Sequence, residues 1–397
     1  MKPLLSHLTT TNIACFILVL FCIQYIPIES RSGISYLKLA VSALCPFIFI
    51  IFTPKITKAL FWCVIYYCLV VFAAIMHPTT LRWSTVLFQC SFLITYITYY
   101  NLIVAEKAFD SDFFIRILKN LILAYFVTLV IQQIFIIIGI TTFAPINLVQ
   151  VLDRGIGANS LSYEPSTAAR ILAVLFLALL RMYELKYARS LSFQEIYREA
   201  KWPTIGFLWC MLTMGSGTAF VALGILSLYF IRRQYAFIII PLLIAFYTLI
   251  PYIDLEPLQR AYKTFNAFLT LDADIVRKAD GSAAARVVPL VNTITSLDLM
   301  SWDTWFGHGV DYSLKDGMFS DTVLIGGIGD YGLLSFIIMQ ILVFKCAITK
   351  FFSIETLIWI ALFNMSLTNV PYTWGTIMIF TVLFFLKENS YGKISME

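Results

Sequence analysis

Charge is scarce in this chain: only 13% of its 397 residues are Asp, Glu, Lys or Arg, about half the share of a soluble globular domain. That excludes a large soluble catalytic domain and a cytoplasmic enzyme with one anchor. It excludes disorder too, because 28 basic and 23 acidic residues cannot solvate a long free chain of this composition. Disulfide and zinc patterns are also missing. All eight cysteines (Cys15, Cys22, Cys45, Cys63, Cys68, Cys90, Cys210 and Cys346) fall in or beside apolar blocks, and none lies in a longer loop. The alternation over about ten residues that marks an outer-membrane barrel is absent. No small-residue cleavage pattern follows the first apolar block, which reads as a span and not as a removed leader.

What the chain has is apolar mass, 60% of its residues. A helix needs about 20 residues to cross a 30 Å hydrocarbon core, so twelve crossings would use about 240 residues and account for that share. The sequence predicts an all-α, polytopic integral membrane protein, a single transmembrane domain over 1–397 with about twelve transmembrane helices. The apolar runs lie near 11–28, 34–53, 59–76, 83–104, 116–140, 166–183, 203–214, 219–231, 236–253, 322–344, 354–369 and 373–386.

Runs seven and eight are short, and Trp202 to Ile231 would alternatively form one long helix. The positive-inside rule decides between these readings. Arg181, Lys186, Arg189, Arg198 and Lys201 precede the stretch and Arg232 and Arg233 follow it, so an even number of crossings lies between. Two short or re-entrant helices meeting at Gly215-Ser216-Gly217-Thr218 satisfy this. Lys55, Lys58, Lys107, Arg116, Lys345, Lys350, Lys387, Lys393 and both termini then fall on the cytoplasmic side.

The outer face receives Asp153, Arg154 and Glu164, the Gly215 to Thr218 turn, and one long hydrophilic loop over 254–321. Loops of that length are seldom idle. Within it Leu255 to Leu271 reads as an amphipathic helix, and Ser282 as the N-cap of a helix carrying Arg286.

Several residues at this face invite a chemical reading, each beside a plainer one. Glu164-Pro165 opens span six, with Pro165 suited to a first turn. A glutamate and Arg170 at a membrane boundary are costly unless paired, wet or used. Glu164 either caps the helix while Arg170 snorkels, or it acts as base or anchor while Arg170 or Arg154 binds an anion. Ser216 and Thr218 form either a polar floor between helix ends or small residues for close packing. Arg286 stands among Ala283, Ala284, Ala285, Val287 and Val288, a setting suited to facing a phosphate. The run Trp302 to Asp311 reads as an interface belt or as sugar-stacking rings, and His308, between two glycines, as a general base or a turn residue. Gly327-Ile-Gly329-Asp-Tyr-Gly332 matches GxGxxG but follows no strand, so the dinucleotide reading fails. Asp272-Ala-Asp274 is weak evidence for a metal, with no histidine or acidic cluster nearby to complete a site.

In order along the chain, four elements resemble the O-antigen polymerase and ligase superfamily, and more closely its capsule or exopolysaccharide polymerase branch. They are Tyr163-Glu164-Pro165-Ser166, then Gly215-Ser216-Gly217-Thr218, then the loop with Ala285-Arg286 and Trp305-Phe306-Gly307-His308-Gly309, and finally Phe319-Ser320-Asp321 leading to Gly329-Asp-Tyr-Gly332. Ligases of the superfamily carry His-Asn where this chain has Ser320-Asp321, which favours polymerase. Ser216-Gly217 stands where many members have Ser-Arg.

The resemblance implies glycosyl transfer between polyprenyl-diphosphate-linked glycans at the outer face of a bacterial cytoplasmic membrane. Arg154, Arg170 and Arg286 would bind the diphosphate, Ser216 and Trp305 would contact substrate, and Glu164 would be the base, with His308 and Asp321 behind it. It implies membrane lipid, a chain-length regulator and a flippase as partners, no nucleic acid and no cofactor, and nothing demands a metal. The alternatives are an O-antigen ligase, which differs in acceptor, and a lipid-linked glycan flippase or transporter, which would place ionisable residues near the midplane of its spans.

Overall fold

The computed structural model describes residues 2–24, 35–140, 155–231, 247–253, 297–310, 327–367 and 371–394, with positions 241, 244, 245, 259, 262, 263, 266 and 312. Among these residues every regular element is helical. The helices are α1 (Lys2–Cys22), α2 (Tyr36–Phe52), α3 (Lys58–Met76), α4 (Trp83–Val104), α5 (Ser111–Ile137), α6 (Pro165–Tyr187), α7 (Phe193–Glu199), α8 (Lys201–Thr213), α9 (Gly217–Ser227), α10 (Trp302–Phe306), α11 (Ile328–Cys346), α12 (Ile354–Phe363) and α13 (Pro371–Ile394). Four of them, α3, α4, α5 and α11, are long and apolar enough to cross a membrane. Large apolar side chains such as Phe47, Ile50, Phe61, Leu87 and Ile137 point outward. Exposed apolar surface on that scale fits lipid as the surrounding medium, and the chain is a membrane protein.

Helix α6 is the centre of the bundle. A helix apolar on every side must be enclosed, and Ile171 through Leu180 are all buried. It packs against α5, α8, α9, α12 and α13, with Phe176 stacked on Phe207 of α8 at 4.1 Å between ring centroids.

The polar residues divide between the two ends. At one end Lys55 pairs with Glu106 at 3.0 Å and Arg189 with Glu195 at 2.7 Å. Here Arg181 forks onto Glu355 at 2.7 and 3.1 Å and reaches Glu184 at 2.6 Å, tying α6 to α12. The Arg189 guanidinium, with the Ser192 backbone N–H behind it, holds the Glu195 carboxyl down at about 2. Asn101 closes the same end of α4: its amide donates to the carbonyls of Thr53 and Lys55, and its oxygen accepts from Thr57. We call this the basic end.

The expected pair of short helices is present. Helices α8 and α9 are separate, about 20 and 16 Å long at 1.5 Å per residue. The chain enters α8 where Tyr183 Oη donates to the Glu199 carbonyl. It leaves α9 where Tyr229 Oη donates to the Leu180 carbonyl and Arg181 lies over the Tyr229 ring. Both points are at the basic end, so the hairpin returns to where it began. Its turn lies at the other end, where Gln133 of α5 bonds Thr213 and Trp209.

Helices α3 and α4 match the apolar runs at 59–76 and 83–104 closely. The run at 354–369 does not persist as one helix: α12 stops at Phe363 because Asn364 and Met365 take positive φ. The helix expected after Ser282 and most of the amphipathic helix expected over 255–271 lie outside the described residues; of the run at 236–253 eight positions lie outside them, and Ile250–Tyr252 forms a short 3-10 turn. All eight cysteines are free thiols.

Breaking the Arg181 fork leaves two carboxylates facing each other in a partly buried site, so Arg181→Met should cost about 3 kcal/mol. It should therefore lower the thermal midpoint of the detergent-purified protein, followed by tryptophan fluorescence. Adding Glu355→Met should restore at least half of the loss. An equal drop in the single and double variants would refute the coupling.

Candidate functional site

The end opposite the basic end is built around the start of α6. Tyr125 Oη donates to the Cys22 carbonyl at 2.6 Å, and Ser160 exchanges hydrogen bonds with Gln132 of α5 at 2.7 and 3.1 Å. The Asn159 amide donates to the Ser162 carbonyl. The bonds of Asn159 and Ser160 hold residues 159–162 as the chain enters α6.

Glu164 is the N-cap, with Pro165 in the first turn as the sequence predicts. Its carbonyl accepts from Thr167 and Ala168, both at 3.1 Å, but its side chain makes no capping bond. The carboxylate is exposed and takes a hydrogen bond from Ser166 Oγ at 3.2 Å. Arg170 does not snorkel into open solvent. It is half-buried, and Nη1 donates to Tyr372 Oη of α13 at 2.9 Å. Its Nε is buried and has no hydrogen-bond partner, and neither has the Tyr163 hydroxyl. No hydrogen bond or ion pair among the described residues joins Glu164 to Arg170. The pattern is an exposed carboxylate and an under-satisfied guanidinium at the N-terminal, dipole-positive end of a buried helix.

Ser216 lies at the same end. It is buried, caps α9 through its carbonyl to Ala219 N at 3.0 Å, and makes no side-chain cap. Gly215 turns the chain before it with φ +71. This is what the small-residue packing reading expects.

A second cluster at this end sits on α3 and α11. Here α10 and the Gly307-His308-Gly309 segment dock backbone to backbone on the first turns of α11. His308 N donates to the Gly329 carbonyl at 2.9 Å and Gly309 N to that of Asp330 at 3.1 Å. Gly307 and Gly332 have φ of +84 and +82. A Cβ on Gly307 would stand 2.2 Å from the Asp330 oxygen, and one on Gly332 2.2 Å from the Trp305 oxygen. Both glycines are required by this contact, and Gly332 breaks the helical conformation of α11 to make it. The GxGxxG pattern is therefore a docking surface for the 305–309 segment of the long loop.

His308 Nδ1 also lies 3.2 Å from the Gly329 carbonyl. A carbonyl only accepts, so in this bond Nδ1 carries the proton and Nε2 is left for other chemistry. The imidazole stacks on Tyr312 at 4.5 Å. Trp305 is partly exposed and donates from its indole to the Leu299 carbonyl at 3.0 Å. Trp302 stacks on Phe306, which meets Phe72 of α3. These rings form an aromatic edge at the bundle surface, in keeping with the interface-belt reading.

Five of the sequence-predicted site residues thus lie at one end, Glu164 and Arg170 in one cluster, Trp305 and His308 in another, and Ser216 between helix ends. Arg154, Arg286 and Asp321 lie outside the described residues. Sequence reasoning missed Tyr372, the Arg170 partner 202 residues away, and the buried Asp330 beside Gly309. Only the first lacked any local signal.

Gly307→Ala and Gly332→Ala should each detach the docked segment by strain and raise the rate of limited proteolysis between 297 and 327 about fivefold or more. Gly224→Ala is the control, since a Cβ there meets nothing within 4 Å. Unchanged cleavage in both variants would refute the clasp. No family model, curated protein or solved structure matches this chain.

Proposed function

We propose that this protein is a glycan polymerase that joins polyprenyl-diphosphate-linked oligosaccharide repeat units at the outer face of a bacterial cytoplasmic membrane. The observation that carries the reading is Arg170. A guanidinium with a buried, unpartnered Nε sits within two turns of an exposed carboxylate, at the end of the bundle opposite the basic end. Diphosphate leaving groups need cations where negative charge develops, and an acceptor hydroxyl needs a base within reach.

In this reaction the acceptor oxygen attacks the anomeric carbon of the donor as the bond to the diphosphate breaks. The hydroxyl proton passes to Glu164, and the polyprenyl diphosphate leaves with its charge held by Arg170, Arg154 and Arg286. His308 through Nε2, and Asp321, are the secondary candidates for the proton. Ser216 lines the floor between helix ends, and Trp305 offers an aromatic face to a sugar. The positive-inside rule assigns the basic end to the cytoplasm and leaves this site on the outer face, where lipid-linked repeat units arrive after flipping.

Arg286→Ala and Glu164→Gln should each abolish long-chain polymer, read by electrophoresis of the extracted glycan, while protein remains in the membrane fraction. Normal chain length in both would sink the site assignment. Deletion should accumulate single repeat units on the outer leaflet, whereas accumulation only on the inner leaflet would point to transport. A cysteine at Ser282 should react with an impermeant thiol reagent in intact spheroplasts; protection there would reverse the orientation.

A further inference from the structure

Helices α6 and α13 both start at the site end with a polar side chain within reach of the outside and then run inward enclosed. On α6, Arg170 is partly exposed and Ile171 through Leu180 are buried. On α13, Pro371 and Tyr372 are partly exposed and Thr373 through Leu383 are buried. The two helices pack on one another, and Arg170 Nη1 donates to Tyr372 Oη at 2.9 Å across the contact. This bonded pair therefore closes the reachable surface between α6 and α13 at this end.

The pair has more donors than acceptors. A guanidinium offers its N–H groups and accepts nothing, and among the described residues Arg170 uses only the Nη1 bond to Tyr372, with Nε left bare. Tyr372 accepts that bond, and among the described residues its own O–H meets no acceptor. The phenol is otherwise held by packing and backbone: its ring meets that of Phe363 on α12 at 6.0 Å, and its carbonyl takes Thr376 Oγ1 at 3.1 Å. A hydroxyl whose oxygen accepts from a cation is polarised into a stronger donor. Arg170 and Tyr372 thus present donors only. An anionic oxygen, with lone pairs and no proton, suits such a pair, and the bonds it accepts are about twice as strong as those of a neutral hydroxyl.

We propose that Tyr372 is a phosphate-binding residue of this site, its O–H donating to the diphosphate that the Arg170 guanidinium holds. The assignment rests on the glycan-transfer reading and deepens it by making the start of α13 part of the substrate site. Tyr372 then links the guanidinium to the ligand, accepting from one and donating to the other. The hydroxyl adds a hydrogen bond without adding a second buried charge, whose desolvation is costly.

The test uses full-length protein in nanodiscs, with farnesyl diphosphate and farnesol as probes and calorimetric affinities as readout. The wild-type protein should prefer the diphosphate, and Tyr372→Phe should weaken diphosphate binding about tenfold while farnesol binding stays unchanged, as expected for the loss of a bond to a charged group. A loss would also follow if Tyr372 only steadied Arg170, so a ring-fluorinated tyrosine at the same position separates the two roles. At neutral pH that phenol stays protonated, and it is a stronger donor and a weaker acceptor than tyrosine. Donation to the diphosphate makes fluorination tighten binding; unchanged or weaker binding overturns the assignment. A folded Tyr372→Phe protein that binds the diphosphate as the wild type does also overturns it and leaves the glycan-transfer reading standing. A wild-type protein that does not distinguish diphosphate from alcohol overturns both. Should Tyr372→Phe fail to assemble, the fluorinated protein, nearly unchanged in size, decides by the same measurement.

Discussion

Hydrocarbon offers no hydrogen bonds, and the architecture of this protein follows from that constraint. Each polar group must be satisfied inside the bundle or carried to one of its ends. Asn101 shows the first solution, buried with its amide and its oxygen both engaged. The Arg181 fork at one end and the Glu164–Arg170 region at the other show the second. The two ends differ in how completely their charges are matched. Arg181 has two carboxylates, whereas Arg170 has one phenol and a bare Nε. Other buried groups, among them Tyr99, Thr204 and Ser366, are short of a partner too, but the Arg170 Nε belongs to a cation, and a cation short of partners is the feature expected where an anion binds.

Much of this was legible in the sequence, for physical reasons that differ from element to element. The limits of α3 and α4 followed from apolar length alone. The α8–α9 hairpin could not be read from hydropathy, which fits one long helix equally well, but the basic residues at both ends fixed its parity. The Glu164–Pro165 start of α6 was local chemistry, since proline accepts the first turn. Local pattern fails where the partner is remote. Nothing near Arg170 announces Tyr372, because the contact exists only once α13 has packed on α6. The glycines at 327, 329 and 332 were visible, but their purpose lies in a segment some twenty residues earlier.

Lys38 belongs to a third kind. It stands in the first turn of α2, at the end of the bundle away from the basic end, where the positive-inside rule gives a lysine no role. A partner for its ammonium needed the fold, which sets it on the Gln24 carbonyl. Glu164 shows the reverse: the sequence allowed a capping role, and the geometry removes it by turning the carboxylate outward without a capping bond.

The short hairpin also acts on the membrane around it. At about 20 and 16 Å, α8 and α9 fall about 10 and 14 Å short of a 30 Å hydrocarbon core. Lipid beside them must thin to meet the Gly215–Ser216 turn, at a cost of a fraction of a kcal/mol per ångström. That dimple lowers the headgroup plane on the same end of the bundle as Glu164 and Arg170. Any charged group that rides at headgroup level would lie deeper there, nearer to the start of α6, than it does beside the long helices.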